Sequence, residues 1–207
     1  MRGNKLGWVL ISLLFLTLSS VAAPKLVFED NFDKDNGKWV SYEGDWVIEN
    51  GYLVNKDVSH TVSNVACEVM QKGNKVIYEY KVYMEETVVE YGPLCGLHFY
   101  VDNPVERGDS YFVYQAKPFL IKVAKTGTTE AIINPLGDIV TGSAELGKEY
   151  ILKIVLDNKK AEIIVYVNGE EVGTYDVYDD QLDPTDYISF RTNRTKVKID
   201  YVKVWVE

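Results

Sequence analysis

The chain has 207 residues, of which 46% are hydrophobic and 26% are charged. These values are typical of one folded domain and exclude disorder as the main state. The 31 acidic residues outnumber the 22 basic ones, which gives a formal net charge of −9. That sign argues against nucleic acid as a partner and against anionic membranes, because both attract proteins through surfaces rich in Lys and Arg.

Residues 1–22 are predicted to form a secretory signal peptide. Arg2 and Lys5 precede an apolar run and then small residues, up to an expected cleavage site after Ala22. The run is too short to span a bilayer comfortably, and an uncleaved N-terminal anchor is the alternative interpretation. We therefore expect a secreted or cell-surface protein whose mature domain, 23–207, has no membrane span. Removing the leader leaves 20 basic residues against 31 acidic ones and a net charge of −11.

The cysteine and histidine content limits the metal and disulfide chemistry of the chain. Cys67, Cys95, His60 and His98 are too few and too scattered for a closed Cys/His zinc site, so we expect no zinc. After export the two cysteines enter an oxidising compartment. We therefore expect a Cys67–Cys95 disulfide, although a domain of about 185 residues can bury enough surface to fold without one.

Apolar and polar residues alternate along most of the mature chain, and no stretch keeps helical spacing over three turns. The clearest predicted strands are Val76–Met84, Leu94–Val101, Tyr111–Ala116, Phe119–Ala124, Tyr150–Leu156, Glu162–Val167, Tyr187–Arg191 and Val197–Val206. Asn168-Gly169 predicts a two-residue hairpin, because these residues tolerate the positive φ of a type I′ turn. About a dozen short strands favour an all-β fold, a two-sheet antiparallel jelly-roll sandwich in one domain, because one open sheet would leave long unprotected edges.

Strict alternation assigns side chains to the two faces of each predicted strand. The outward positions are predicted to include Glu79, Tyr83, His98, Tyr100 and Arg191. In the next strand, the register with Tyr111 and Val113 inward leaves Phe112 and Tyr114 outside. A slip of one residue would reverse the assignment of a strand.

Four stretches, taken in chain order, resemble the concanavalin A-like superfamily, and within it the laminin-G-like and glucanase-related modules. The first stretch consists of Phe28–Phe32, a Trp and Gly44–Leu53. The other three are Cys95–Tyr100 with Tyr111–Tyr114, Gly147–Val155 with Val165–Gly169, and Ile188–Thr192 with Val197–Val204. Together they cover nearly all of the mature chain. The resemblance implies the same two-sheet sandwich that the alternation predicts.

The resemblance also implies a structural calcium ion. In family 16 glycoside hydrolases and their relatives, a cation joins the chain ends through a carboxylate on the last strand and through backbone oxygens. Asp200 matches the carboxylate, Gly51 the turn carbonyl and Glu29 the N-terminal carbonyl. We expect Asp200 to be buried, where a carboxylate needs either a cation or several hydrogen-bond donors.

The sequence lacks the usual sequence motifs of hydrolytic enzymes. Family 16 enzymes carry their carboxylates on one strand as Glu-x-Asp-x-x-Glu, and this chain has no such run. The acidic loop Tyr175–Asp186 is expected to be solvated. Asn31–Gly37 departs from a calcium-binding loop, because its glycine stands at position seven rather than six. These observations favour a protein without catalysis.

The abundance of tyrosine is the remaining functional signal, because a tyrosine ring offers an apolar face and a polar rim to a sugar. On strands that the resemblance places in the concave sheet, the predicted ligand-binding residues are Glu79, Tyr83, His98, Tyr100, Phe112, Tyr114 and Arg191. The plainer alternative is that these rings fill half-buried strand positions.

The sequence therefore predicts a secreted, non-catalytic, lectin-like module that binds poly- or oligosaccharide. Two alternatives stay open. One is an enzyme similar to the 3-keto-disaccharide hydrolase group, with Glu79 and His98 as its first candidate residues. The other is a cell-surface protein-interaction module, as laminin-G-like domains often are.

Overall fold

The structure is a computed structural model that describes residues 23–90, 92–105, 108–117, 120–126, 133–139 and 145–207. The predicted signal peptide lies outside these ranges, as does Phe119. Within them, no helix is long and apolar enough to cross a membrane.

The described residues form a chain of strands. In order they are β1 (Lys25–Asp30), β2 (Trp39–Glu43), β3 (Trp46–Glu49), β4 (Tyr52–Asn55), β5 (Ser63–Glu68), β6 (Lys75–Thr87), β7 (Gly92–Val101), β8 (Ser110–Lys117), β9 (Leu120–Thr126), β10 (Ile133–Ile139), β11 (Glu149–Asp157), β12 (Glu162–Val167), β13 (Glu170–Asp176), β14 (Tyr187–Thr192) and β15 (Thr195–Val206). A short 3-10 helix, Tyr178–Asp180, precedes β14. Each of the eight predicted strands coincides with one of these.

Two antiparallel sheets contain all the strands, which confirms the predicted jelly-roll sandwich. Sheet A has the order β13-β12-β11-β6-β15-β4-β3, and β1 pairs with the end of β15 beyond β4. Sheet B has the order β10-β9-β8-β7-β14-β5-β2. Neighbours that are distant in sequence, such as β6 and β15, give the sandwich its many long-range pairings.

The core lies between the two sheets and is built from alternate side chains. In β6 the buried positions are Val76, Tyr78, Tyr80, Val82 and Met84, as predicted. Rings from the two sheets meet there: the Tyr78 and Phe99 ring centroids are 4.7 Å apart, and those of Tyr80 and Phe190 are 5.2 Å apart. Burial of such rings is the main stabilising term in a β-sandwich of this size.

Two tight hairpins follow the turn chemistry of the sequence. Asn168 and Gly169 have φ of 51° and 88° between β12 and β13, which confirms the predicted hairpin. Asn50 and Gly51 have φ of 53° and 79° between β3 and β4. Both turns need the left-handed backbone that Asn and Gly adopt at low cost.

The predicted Cys67–Cys95 disulfide is wrong, because both thiols are free and buried. Cys67 pairs with Ile188 on one side of β14, and Cys95 pairs with Thr192 on its other side. Two strand spacings and four residues of displacement separate their Cα atoms by roughly 16 Å. A disulfide joins Cα atoms no more than about 7 Å apart, so the sheet register forbids this one.

Candidate functional site

The outer face of sheet B brings together polar and aromatic side chains in two cross-strand rows. One row runs Ala66, Ser189, His98, Phe112; the other runs Asn64, Arg191, Gly96, Tyr114. Their strand neighbours on the opposite face, such as Val65, Phe190 and Leu97, belong to the core. Four of the seven predicted ligand residues, His98, Phe112, Tyr114 and Arg191, therefore share one face.

Three of these side chains form a continuous stack of rings. His98 and Phe112 lie on neighbouring strands with ring centroids 3.7 Å apart and an interplanar angle of 20°. Phe112 and Tyr114 follow along β8 with centroids 4.4 Å apart at 23°. Gly96 makes room for the stack, since a Cβ there would collide with the side chains of Phe112 and Tyr114. Any larger residue at position 96 would displace the rings.

Beside the rings, the same face carries a hydrogen-bonded polar cluster. The Ser189 hydroxyl donates to Asn64 Oδ1 in a short bond, and Asn64 Nδ2 donates to the carbonyl oxygen of Pro104 at 2.7 Å. His98 Nδ1 and Ser110 Oγ are 2.8 Å apart. Arg191 pairs with Asn64 on β5 and with Gly96 on β7, which places its Cα on the same face between Asn64 and the strand that precedes the rings.

The face is not the open trough that the sequence predicted. His98 is 1% exposed, Phe112 and Tyr114 are 4% exposed, and Arg191 is 7% exposed. After β7, the Pro104 carbonyl lies against the face, where it accepts from Asn64. The Asp102 amide donates to the Asp109 carbonyl at 3.2 Å. Buried polar groups held by hydrogen bonds define a rigid arrangement.

Tyr100, a predicted ligand residue, points the other way. The pairing of β7 with β14 has an irregularity between Tyr187 and Ser189, and Tyr100 has a φ of 55°. The extra residue of this bulge turns the Tyr100 ring into the core, where its hydroxyl donates to the Gln71 carbonyl at 3.2 Å and accepts from Asn158 Nδ2 at 2.7 Å. Burial raises the pKa of this phenol. The prediction that Tyr100 faces outward is therefore wrong.

Glu79 and Tyr83 lie on β6, which belongs to sheet A, so they are not on the face of His98. Glu79 accepts a hydrogen bond from the Tyr201 hydroxyl at 3.1 Å, and the Lys198 ammonium lies 6.0 Å from the Tyr83 ring centroid. Outer faces of stacked sheets point away from each other across a core about 10 Å thick. The prediction that Glu79 and Tyr83 share a face with His98 is therefore wrong. For the same reason, Glu79 and His98 do not form an acid–base pair.

The predicted calcium ligands all lie along β15, although one premise of the prediction is wrong. Asp200 is not buried: its side chain is 36% exposed, and its carboxylate lies 3.0 Å from the ammonium of Lys81. Glu29 lies beside β15 as well, with its carboxylate 3.1 Å from Lys203 Nζ. Gly51 is in the turn that begins β4, next to the pairing of Leu53 with Ile199.

A cation held by the Asp200 carboxylate and by the backbone oxygens of Glu29 and Gly51 stays a prediction. Among the described residues, no group of three or more His, Cys, Asp or Glu side chains is arranged to hold a metal ion. Hydrogen bonds to Glu149 and Asp200 raise the pKa of Lys81, so its ammonium remains the charge that faces Asp200.

Sequence reasoning missed two members of the site, Asn64 and Gly96. Asn64 precedes a run of apolar residues, and its strand carried no clear alternation. Gly96 lies in a predicted strand, where a residue without a side chain gives no functional signal. The pairing of β5 and β7 with the two edges of β14 would have identified both, and only the fold supplies that pairing.

Comparison with known proteins identifies the class of fold. No family model and no curated protein sequence matches the chain. Carbohydrate-binding module CBM66 from Bacillus subtilis is similar in structure, with 14% identity and a TM-score of 0.58 over 79% of this chain and 92% of that chain. A protein of unknown function with a galectin-like fold, also from Bacillus subtilis, has 13% identity and a TM-score of 0.65 over 87% and 96% of the two chains.

A third similar structure is the exoplasmic/lumenal domain of VIP36 in a form bound to Ca2+ and Man, with 12% identity and a TM-score of 0.57 over 81% and 82% of the two chains. At these identities the likeness concerns the fold alone. The chain has the two-sheet jelly-roll fold found in lectins and carbohydrate-binding modules.

Proposed function

We propose that this protein is an exported, non-catalytic carbohydrate-binding module whose site is the outer face of sheet B. The observation that carries the proposal is the pair of rows that places Asn64, Arg191 and His98 beside the stacked rings of Phe112 and Tyr114. The names of the similar structures, a carbohydrate-binding module and a domain in a Ca2+/Man-bound form among them, support the same class of ligand.

The chemistry of the face suits a saccharide. A sugar ring presents apolar C–H groups on one side and hydroxyls around its rim, so it needs an aromatic surface next to donors and acceptors. Tyr114, at the end of the ring stack, is the candidate aromatic surface; it is 4% exposed, so a sugar reaches it only when the residues that cover it move. Arg191 offers several N–H donors in a fixed plane, and Asn64 offers both a donor and an acceptor.

The absence of paired carboxylates at these positions favours binding over hydrolysis. The eight positions of the two rows contain no Asp or Glu, whereas most glycoside hydrolases need two carboxyl groups on either side of the scissile bond. Arg191 and His98 would orient a sugar without cleaving it.

Access to the face involves Pro104 and Val105, which follow β7. Asn64 Nδ2 now donates to the Pro104 carbonyl at 2.7 Å, and the next residue, Val105, is 64% exposed. For a sugar hydroxyl to accept from Asn64 it must take the place of this carbonyl, so the proposal requires Pro104 to move off the face when ligand binds. The exchange conserves the hydrogen bond and therefore costs little.

A glycan array followed by calorimetric titration of the retained glycan tests the proposal. Arg191→Lys keeps the charge but removes the planar donors, and Tyr114→Phe removes only a hydroxyl. We expect Arg191→Lys to weaken binding about tenfold or more, since hydrogen bonds to charged groups are worth about 1.5–3 kcal/mol. Tyr83→Ala, on the outer face of sheet A, is the matched control and should bind normally. No retained glycan, or equal effects of Arg191→Lys and Tyr83→Ala, would contradict the proposal.

A further inference from the structure

The outer face of sheet A carries an apolar row that crosses five strands. Leu26, Trp205, Ile77, Val155 and Ile164 are successive cross-strand partners on β1, β15, β6, β11 and β12. Their strand neighbours, such as Tyr78 and Val204, point into the core, so the row faces away from it.

Part of this row is open to solvent. Leu26 is 42% exposed and Trp205, Ile77 and Ile164 are half-buried, whereas Val155 is 8% exposed. A groove of about 290 Å³ runs over Trp205 and Ile77 and is bordered by Glu79 and Lys153. A continuous apolar strip with a polar border on a solvent face is typical of an interaction surface.

Charged rows flank the apolar row on β15, β6 and β11, and their signs are inverted between its two sides. On one side stand Lys203, Glu79 and Lys153; on the other stand Glu207, Lys75 and Asp157. Read across the three strands, the first row is positive, negative, positive, and the second is negative, positive, negative.

This inversion makes the face complementary to itself. A two-fold axis along the apolar row keeps each strand position and exchanges the two charged rows. It places Glu79 opposite Lys75 of a second copy and Lys203 opposite Glu207, whereas Asp157, opposite Lys153, is 8% exposed and lies 3.8 Å from Lys75 of its own chain. Trp205 and Ile77 then meet their own counterparts. From this geometry we propose that the outer face of sheet A binds a second copy of this chain, back to back, about that axis.

The other two-fold axis in the plane of the face gives the opposite result. An axis along β6 places Glu79 against Glu79 of the second copy and Lys203 against Lys153, so like charges meet. The charges therefore select the axis along the apolar row. Sheets that pack with strands nearly aligned rotate by about 30°, a shift that long Lys and Glu side chains accommodate within one strand spacing.

The size of the surface sets the expected affinity. The row spans roughly 20 Å across the strands, and the charged rows lie roughly 14 Å apart along them. This area is below the roughly 800 Å² per partner of a stable interface. The dimer is therefore weak and reversible, with a dissociation constant on the order of 100 µM.

A charge-exchange experiment by sedimentation equilibrium tests the geometry. The full chain, purified as an exporting host produces it, should dimerise as its concentration passes through that range. Glu79→Lys places Lys opposite Lys75, and Lys75→Glu places Glu opposite Glu79, so each variant alone should associate at least tenfold more weakly. An equimolar mixture of the two variants restores opposite charges at both contacts, and it should form a heterodimer at least as tight as the unaltered homodimer.

The mixture also controls for folding, because an unfolded variant has no face to pair. Trp205→Lys should abolish association, while Met70→Lys, at a site 56% exposed and outside this face, should leave it unchanged. A chain that stays monomeric at every concentration overturns the proposal. So does a dimer that Glu79→Lys does not weaken, or a mixture that stays monomeric although circular dichroism shows both variants to be folded.

Discussion

The inward turn of Tyr100 depends on one buried amide, that of Gln71. Its Nε2 donates to the carbonyl oxygens of Thr185 and Tyr187, both at 2.9 Å. Its Oε1 accepts from the Tyr78 hydroxyl at 2.8 Å and from the Tyr100 amide at 3.1 Å. Gln71 is fully buried, so water cannot replace these bonds.

Gln71→Leu fills a similar volume and removes all four hydrogen bonds. Each bond contributes about 1 kcal/mol net, so we expect the free energy of unfolding to fall by about 4 kcal/mol. For a domain of this size, 1 kcal/mol corresponds to about 2–4 °C, which predicts a fall in Tm of roughly 8–16 °C. Urea denaturation followed by tryptophan fluorescence, together with calorimetry, gives both quantities.

Gln181→Leu is the matched control. Gln181 is exposed and donates one hydrogen bond, to the Asn158 carbonyl at 3.1 Å. The same substitution there should change stability by no more than about 0.5 kcal/mol. If Gln71→Leu costs less than about 1 kcal/mol, the four bonds do not hold the bulge at Tyr100, and the reasoning about this part of the site is refuted.

Three further outcomes are expected. Burial raises the pKa of the Cys67 and Cys95 thiols to about 12. A thiol reagent at pH 8 should therefore modify neither thiol in the folded protein and both thiols after denaturation without reductant. If neither thiol reacts after denaturation, the two cysteines form a disulfide. Gln115→Leu should raise the free energy of unfolding by about 1–3 kcal/mol, because within the described residues its buried amide has no hydrogen-bond partner; a loss would refute this. The calcium prediction requires a chelator to lower Tm by several degrees; an unchanged Tm would count against it.

The sequence predicted the strands and their inward faces because alternation is a local property. The inward set of β6 and the assignment of Tyr111 and Val113 to the core are both confirmed. Turn chemistry is local as well, and the hairpin at Asn168-Gly169 forms as expected. These features need no knowledge of which strands are neighbours.

The errors arise where pairing between distant strands decides the outcome. Alternation gives Glu79 and His98 the same description, outward on a central strand, and only the strand order places them on different sheets. One extra residue at the bulge reverses Tyr100, and nothing in its local sequence marks it. The disulfide failed for the same reason, because β14 separates the two cysteines.

The most direct test of the central claim is a nuclear magnetic resonance titration of isotope-labelled protein with the oligosaccharide that the array retains. The proposed function predicts shifts at the side-chain N–H groups of Asn64 and Arg191 and at the amide of Val105, whose segment moves. Signals of Tyr83 and Trp205, on the other sheet, should stay in place. Shifts confined to sheet A, with those of Asn64 and Arg191 unchanged, would contradict a saccharide site on the outer face of sheet B.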